Sequence, residues 1–480
     1  MVSVVVSPFK CAALSPDTPS RHRNGTIARM GPSILRRMRA EHPQLAHIST
    51  LLTGTVIAQL IVLVTTPIIG RLYTPEDIGS FAAFLAVPQI VAGVSASRYD
   101  MAIVLPDRDN EARRLVRVSL TLTSIVSALT SVLCWIFARP ISRALNHEEL
   151  AGILGWSGIV VMCLSVTSVM NYWLTRLERF SAISSNRVLN SAGIELSRIG
   201  APFAGLSPLT GQIFSQFFGQ ILSTSALLYR GRASLIAPET GGRTTKQLLR
   251  RYRRMPLLNA PNVLVDAVRV NGIVLLIGVW YSADPQGQFA KAWLLMQAPV
   301  ALITSAVSQV TYRSLAVAPR GTLLATVLRS IRLSFFASIG PFILLALIAP
   351  SLFPWYLGFG WEQSGLIAQA LIPWLLLNVV TSPISTVFVV TDRQGLMLAF
   401  ACVYAATPLG IIHIMGGAGF SIVTTLWVVS IVQALLLAGL TTLTVRVARV
   451  WDKSDDPESL PVTPSTSSVA PMTGEQADTE

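Results

Sequence analysis

Gly70-Arg71-Leu72-Tyr73-Thr74-Pro75-Glu76-Asp77-Ile78-Gly79 is a polar turn between two apolar runs, Thr53 to Ile69 and Phe81 to Ala96. Arg98, Tyr99 and Asp100 close the second run and lead into Met101-Ala102-Ile103-Val104-Leu105-Pro106. The unit returns later in the chain. At a shift of about 208 positions, Ile69 falls on Ile277, Gly70 on Gly278, Tyr73 on Tyr281 and Gly79 on Gly287. Phe81 falls on Phe289, Ala82 on Ala290, Gln89 on Gln297 and Ser97 on Ser305. These are about eight identities in some 29 ungapped columns, where composition alone gives roughly two. The chain reads as a duplicated half.

The composition puts that half in a membrane. Of 480 residues, 52% are hydrophobic and 13% charged, and mean hydropathy is +0.57. A soluble domain carries about a quarter charged residues. Here the charge is confined to islands between apolar runs of roughly 18 to 25 residues, the length that crosses a hydrocarbon core as a helix. Alternating ten-residue strands are absent from the sequence, which argues against a membrane barrel. An all-α polytopic membrane protein is expected.

Twelve spans are predicted, near 49–70, 78–97, 115–137, 151–173, 188–206 and 209–229, then 257–281, 288–311, 330–353, 364–390, 395–415 and 418–445. The net charge of +13 invites a nucleic-acid reading. Its distribution speaks against that partner, because the basic residues fall on alternate loops. Even loops carry Arg98, Arg108, Arg113, Arg114 and Arg117, then Arg176, Arg179 and Arg187, and later Arg313, Arg320, Arg329 and Arg332. The middle loop adds Arg230, Arg232, Arg243, Lys246, Arg250, Arg251, Arg253 and Arg254, whereas odd loops carry only Arg71, Arg139 and Arg143. The positive-inside bias then places both termini and every even loop in the cytoplasm. Two six-helix lobes, 48–230 and 257–446, are expected on either side of a basic linker, 231–256. An even span count makes the repeat parallel, about an axis along the membrane normal. Residues 1–47 read as a disordered basic arm, with Met30 or Met38 as alternative starts, and 447–480 as a disordered acidic tail. The match Asn24-Gly25-Thr26 to a glycosylation site is read as accidental.

Chemistry is sought where charge enters a span. In span seven, Asn259, Asn262, Asp266 and Arg269 are spaced three, four and three apart, on one face of a straight helix. A charge at bilayer depth costs several kcal/mol and normally faces a bundle interior or a watery cavity. Two readings stay open: Asp266 and Arg269 neutralise each other as helix glue, or the stripe lines a transport cavity. Glu195 and Arg198 in span five repeat the pairing. Span six offers Gln212, Gln216, Gln220 and Ser223, and span ten Asn378, Thr381, Ser382 and Ser385 beside Pro373 and Pro383, where bending is expected. Asp107, Asp109 and Glu111 stand before a helix, where acidic residues favour the N-terminus. No histidine pair, metal-like cysteine spacing or Gly-Lys-Ser/Thr phosphate loop occurs, so no metal or cofactor is expected. Cys134, Cys163 and Cys402 lie in apolar runs and read as packed thiols.

The run Gly54 to Pro106, with its Leu-Tyr-Thr-Pro-Glu-Asp-Ile-Gly turn and Arg-Tyr-Asp-Met-Ala-Ile-Val-Leu-Pro exit, resembles bacterial polysaccharide-biosynthesis flippases. These belong to the multidrug/oligosaccharidyl-lipid/polysaccharide exporter superfamily. Asn171-Tyr172-Trp173-Leu174, Arg179-Phe180 and Ser185-Asn186-Arg187-Val188-Leu189 are similar to that family's stretch after its fourth span. The resemblance covers most of residues 45–450 and is strongest in the first half. It implies a two-lobed exporter of twelve to fourteen helices in the bacterial inner membrane, not an enzyme. Such a protein flips lipid-linked oligosaccharide for O-antigen or exopolysaccharide synthesis, with the bilayer and a polymerase or export machinery as partners. Arg98 and Arg269 are the expected phosphate-binding cations, with Asn259 and Asn262 beside them. Asp266, Glu195 and Arg198 are expected to carry a coupling ion or to balance charge. A drug or cation antiporter of the superfamily is the alternative, and a membrane-bound polymerase or ligase is disfavoured by short outward loops.

Overall fold

A computed structural model describes residues 43–236, 241–316, 321–391 and 393–453. The arm up to residue 42, with Cys11 and the Asn24 sequence, lies outside the described residues, as does the tail from 454. Among the described residues, twelve helices have 18 or more residues. They are α1 (Pro43–Leu72), α2 (Pro75–Ala92), α3 (Asp109–Ile136), α4 (Ser157–Arg176), α5 (Phe180–Gly200) and α6 (Pro208–Ile236). The second six are α7 (Ala260–Tyr281), α8 (Ala283–Ala316), α9 (Leu323–Leu357), α10 (Glu362–Ile384), α11 (Gln394–Gly417) and α12 (Ile422–Lys453). Helices are the form these runs must take, because a spanning segment has to satisfy its backbone hydrogen bonds internally. Eight are long and apolar enough by themselves to cross a membrane. The other four, α2, α5, α6 and α8, hold buried Ser80, Glu195, Arg198, Gln212, Gln216 and Lys291. They lower the hydropathy because they face protein, not lipid.

The α1–α2 turn is tight for a legible reason. Thr74 caps α2: its hydroxyl accepts from Asp77 N at 3.2 Å, and its own N–H donates to Asp77 Oδ2 at 2.9 Å. Pro75 opens the helix, a position that needs no N–H donor. A capping box of this kind stabilises by about 1 kcal/mol. The second copy turns on one residue, Ser282, at φ +75°.

Duplication is visible in the packing. In the first lobe α1 packs on α5, α5 on α6, α3 on α4, α4 on α6 and α2 on α4. In the second, α7 packs on α11, α11 on α12, α9 on α10, α10 on α12 and α8 on α10. Each pair is the first advanced by six helices. The lobes meet where α2 crosses α8. A Cβ added to Gly79 would stand 1.9 Å from the Ala283 carbonyl oxygen, and one on Gly287 would stand 1.7 Å from that of Pro75. Residues one repeat apart that touch each other lie on the axis relating the copies. Gly79 and Gly287 therefore mark that axis, and only glycine permits backbones this close.

Further contacts seal this hairpin end. His147, from the α3–α4 connection, bridges Ser80 Oγ at 3.3 Å and Gln286 Oε1 at 2.8 Å, joining the lobes. Trp361 Nε1 donates to the Gly70 carbonyl at 2.8 Å, and the Tyr356 hydroxyl donates to that of Leu63. Toward the opposite end α2 packs along α7, with Gly93 beside the Val263 side chain.

Several boundaries differ from the sequence reading. Span two ends at Ala92 instead of continuing to 97. Span ten stops at Ile384 after Pro383 and resumes as the short helix Val387–Val390, the bend its prolines implied. Span seven opens with a π-turn, Met255–Asn259. α6 extends to Ile236, past the lobe boundary expected at 230, and α12 continues to Lys453, past the one expected at 446. The α12 extension has a local cause: Asp452 accepts from Leu323 N and Leu324 N at 3.2 and 2.8 Å, capping α9.

Candidate transport pathway

The charged stripe of span seven opens into a cavity of about 100 Å³ inside the second lobe. Asn262, Asp266 and Arg269 of α7 face Asn378, Thr381 and Ser382 of α10 across it, with Tyr404 of α11 on a third side. The guanidinium of Arg269, 2% exposed, holds Asp266 Oδ1 through Nη2 at 2.7 Å and Nε at 3.3 Å. It also stands over the rings of Tyr404 and Trp374, 5.1 and 5.8 Å from their centroids. The Trp374 indole N–H donates to the Tyr404 hydroxyl at 2.5 Å, which fixes both rings. A carboxylate, two ring faces and hydrogen-bonded aromatic walls enclose this cation. Both members of the pair line the cavity, and Asp266, with 36% of its side chain exposed against 2% for Arg269, is the more exposed of the two. Asn259 stands in the π-turn, where its amide contacts Met255 Sδ at 3.1 Å, and it is not among the lining residues. The turn advances the helix by an extra residue, so straight-helix spacing puts Asn259 out of phase with Asn262.

Arg98 follows α2 in a reversal. Ser97 and Arg98 have φ of +47° and +59°, left-handed values uncommon for such residues. The side chain folds back to Met101 Sδ at 2.8 Å and stands 4.0 Å from Asp100 Oδ2. Asp100 is buried and accepts from the Ser168 hydroxyl of α4 at 2.8 Å. Arg98 Nε and Asp100 Oδ1 are both buried without a hydrogen-bond partner. Unpaired polar atoms at such depth destabilise unless something else meets them.

The third cluster sits between the lobes. Glu195 and Arg198 of α5 pair at 3.4 Å, and both are buried. Thr65 donates to Glu195 Oε2 at 3.3 Å, the Tyr73 hydroxyl donates to the Arg198 carbonyl at 2.7 Å, and Arg198 covers the Phe81 ring at 4.9 Å. From the other lobe comes Lys291 of α8, 4% exposed and within electrostatic reach of both Glu195 and Arg198. Sequence reasoning passed over Lys291. The available signal was its isolation: it is the one charged residue between Asp284 and Arg313. Lys291 lies one turn beyond Gly287, so two cations and one carboxylate are buried directly behind the glycine crossing.

Two of the three acidic residues at the start of α3 are paired. Asp109 pairs with Arg176 at 2.9 Å, and Glu111 with Arg243 at 3.3 Å. Among the described residues no group of three or more His, Cys, Asp or Glu side chains is placed to hold a metal. Gln212 donates to the Asp77 carbonyl at 3.1 Å and Ser223 to Asn190 at 2.9 Å, so the polar row of span six joins helices within its lobe. Cys134 and Cys163 are buried free thiols, while Cys402 is exposed.

The sequence pattern of one family, described as polysaccharide biosynthesis protein, matches residues 68–365, more than half of the chain and across both lobes. The chain belongs to this family. No curated protein matches it significantly. Among solved structures it is similar to the inward-facing conformation of a multidrug resistance MATE family transporter of the MOP superfamily. That match has a TM-score of 0.70 and 14% identity, over 85% of this chain and 100% of the other. It is also similar to the lipid II flippase MurJ in an inward closed conformation, with a TM-score of 0.67 and 13% identity over 85% and 93% of the two chains. A MOP superfamily transporter from Pyrococcus furiosus, described as having a binding pocket of reverse polarity, matches at a TM-score of 0.58 and 14% identity over 85% and 97%. At such identities the likeness is one of fold, the two-lobed, multi-pass architecture of these transporters.

Proposed function

We propose that the chain flips a polyprenyl-pyrophosphate-linked oligosaccharide from the cytoplasmic to the periplasmic leaflet of the bacterial inner membrane, for surface polysaccharide synthesis. The observation that carries this reading is the set of buried cations, Arg198 and Lys291, held behind the Gly79–Gly287 crossing on the axis between the lobes. A diphosphate needs fixed positive charge along a wet path, while its lipid tail needs continuity with the bilayer. Leu60 and Val64, exposed on α1, offer an apolar face for the tail. Alternating access is then rocking of the lobes about the glycine crossing. The hairpin end faces the periplasm, and the basic end and both termini face the cytoplasm, as the loop charges imply.

On this reading the expected roles are redistributed. Arg269 is the partner that holds Asp266, and Asp266 reaches the second-lobe cavity as the candidate proton or sodium site. Arg98, 13% exposed at its side chain, is an entry cation near the basic end. An ion-coupled drug or cation antiporter is the second reading, and Asp266 is the observation in its favour. Against it, the inter-lobe cluster carries more positive than negative charge, which repels a cationic drug. Deleting the chain from its host tests the proposal: lipid-linked repeat units should accumulate on the inner leaflet. Normal export with no accumulation would point to another cargo.

A further inference from the structure

The inter-lobe cluster is divided by the seam it straddles. Glu195 and Arg198 sit one turn apart on α5 of the first lobe, and Lys291 sits on α8 of the second. All three are buried, and Lys291 is within electrostatic reach of the other two. Two cations against one carboxylate leave the assembled cluster with one uncompensated positive charge. Parting the lobes carries Lys291 away and leaves α5 with a balanced pair.

The carboxylate in this cluster is held loosely. Glu195 Oε1 stands 3.4 Å from Arg198 Nη1, whereas Asp266 Oδ1 stands 2.7 Å from Arg269 Nη2 on the same three-residue spacing. Charge-assisted bonds close to about 2.7–2.9 Å, so the second pair is fully formed and the first is slack. Glu195 Oε2 accepts from the Thr65 hydroxyl at 3.3 Å, but that hydroxyl has one proton and lies nearer the Ile61 carbonyl, at 2.9 Å. On the guanidinium, Arg198 Nε is buried with no hydrogen-bond partner among the described residues. An acceptor that fills this open edge removes a desolvation penalty. A diphosphate, with non-bridging oxygens on two phosphorus atoms, can fill it and reach Lys291 as well.

We infer that Glu195 is an internal stand-in for the cargo's phosphate. It balances Arg198 in the empty carrier, gives way when a diphosphate bridges Arg198 and Lys291, and pairs with Arg198 again as the lobes part. On the diphosphate reading above, on which this role rests, Glu195 opposes cargo binding and so promotes release. A transport site has to bind strongly enough to fill and weakly enough to empty. The split cluster meets both needs: two cations converge on the cargo while the lobes are together, and a competing carboxylate reclaims one of them when the other withdraws.

The test titrates the full chain in detergent with farnesyl diphosphate, or with farnesol as the control lacking phosphate, and reads binding by calorimetry. Wild type should bind the diphosphate in preference to farnesol, and Lys291→Met should bind it at least about tenfold more weakly. Glu195→Gln should bind it at least about tenfold more tightly than wild type, because a like charge facing a bound anion is strongly repulsive. Glu195→Asp, which keeps the charge but withdraws it by one methylene, should lie between the two. Binding by Glu195→Gln no tighter than wild type, or by Glu195→Asp where the Gln form does not accumulate, overturns the stand-in role while a weakened Lys291→Met keeps the diphosphate reading. Equal binding of farnesol, or undiminished binding to Lys291→Met, overturns both.

Discussion

At the scale of single residues, paired charges have to be separated by role. Arg269 is almost wholly enclosed by Asp266, Trp374 and Tyr404, so removing it strands a carboxylate at membrane depth. Arg269→Ala is expected to lower protein abundance several-fold, the size of effect that about 1–2 kcal/mol produces in cells. Asp266→Asn in the same chain should restore it. Normal accumulation of Arg269→Ala with export abolished would instead assign Arg269 to the cargo. Lys291 behaves differently on this account. Lys291→Met relieves a buried cation and should leave abundance intact while export falls at least about tenfold, the effect of losing one charge-assisted contact; Lys291→Arg should keep part of it. Unchanged export in Lys291→Met would remove the inter-lobe cations from the pathway. The Asp266–Arg269 and Glu195–Arg198 pairings were legible because a three-residue spacing is local. Lys291 was not, because its meaning lies in partners from another helix about 90 positions away.

Among the elements, the crossing of α2 and α8 is the pivot on the proposed mechanism. Gly79 and Gly287 admit no Cβ, so a larger residue must part the helices. Gly79→Val should insert normally, since α2 keeps its cap and apolar face, but should lose export by holding the hairpin end ajar. The check is a cysteine at Ser80, 2% exposed, in a chain with Cys402 replaced by Ser. Its reaction with a membrane-impermeant thiol reagent should rise when Gly79→Val is added; an unchanged rate would deny that the crossing seals this end. The hairpin turn and the repeat could be read from the sequence, since the turn lies within ten consecutive residues. The π-turn before Asn262 could not, because helical periodicity assumes an even rise per residue. Nor could the end of span two at Ala92, five residues before the expected position, or the reversal at Ser97 and Arg98 after which Asp100 is buried against Ser168.

For the whole molecule, the two-lobed architecture followed from composition, span length and the repeat, and the repeated packing of α1–α6 in α7–α12 agrees with it. Orientation is the piece that depends on loop charge alone. Cysteines placed at Gly241 and Ser282, at opposite ends, provide the check. Gly241 should label only after the inner membrane is permeabilised and Ser282 in intact cells. External labelling at Gly241 would invert the molecule and the direction of transport with it.

The central claim, that the lobes carry a lipid-linked oligosaccharide across the bilayer, is tested most directly by leaflet position. In a host lacking the chain, lipid-linked repeat units in right-side-out spheroplasts should resist a membrane-impermeant glycosidase. Restoring the chain should expose them to digestion, and restoring the Lys291→Met or Gly79→Val form should not. Repeat units equally digestible with and without the chain would contradict the account.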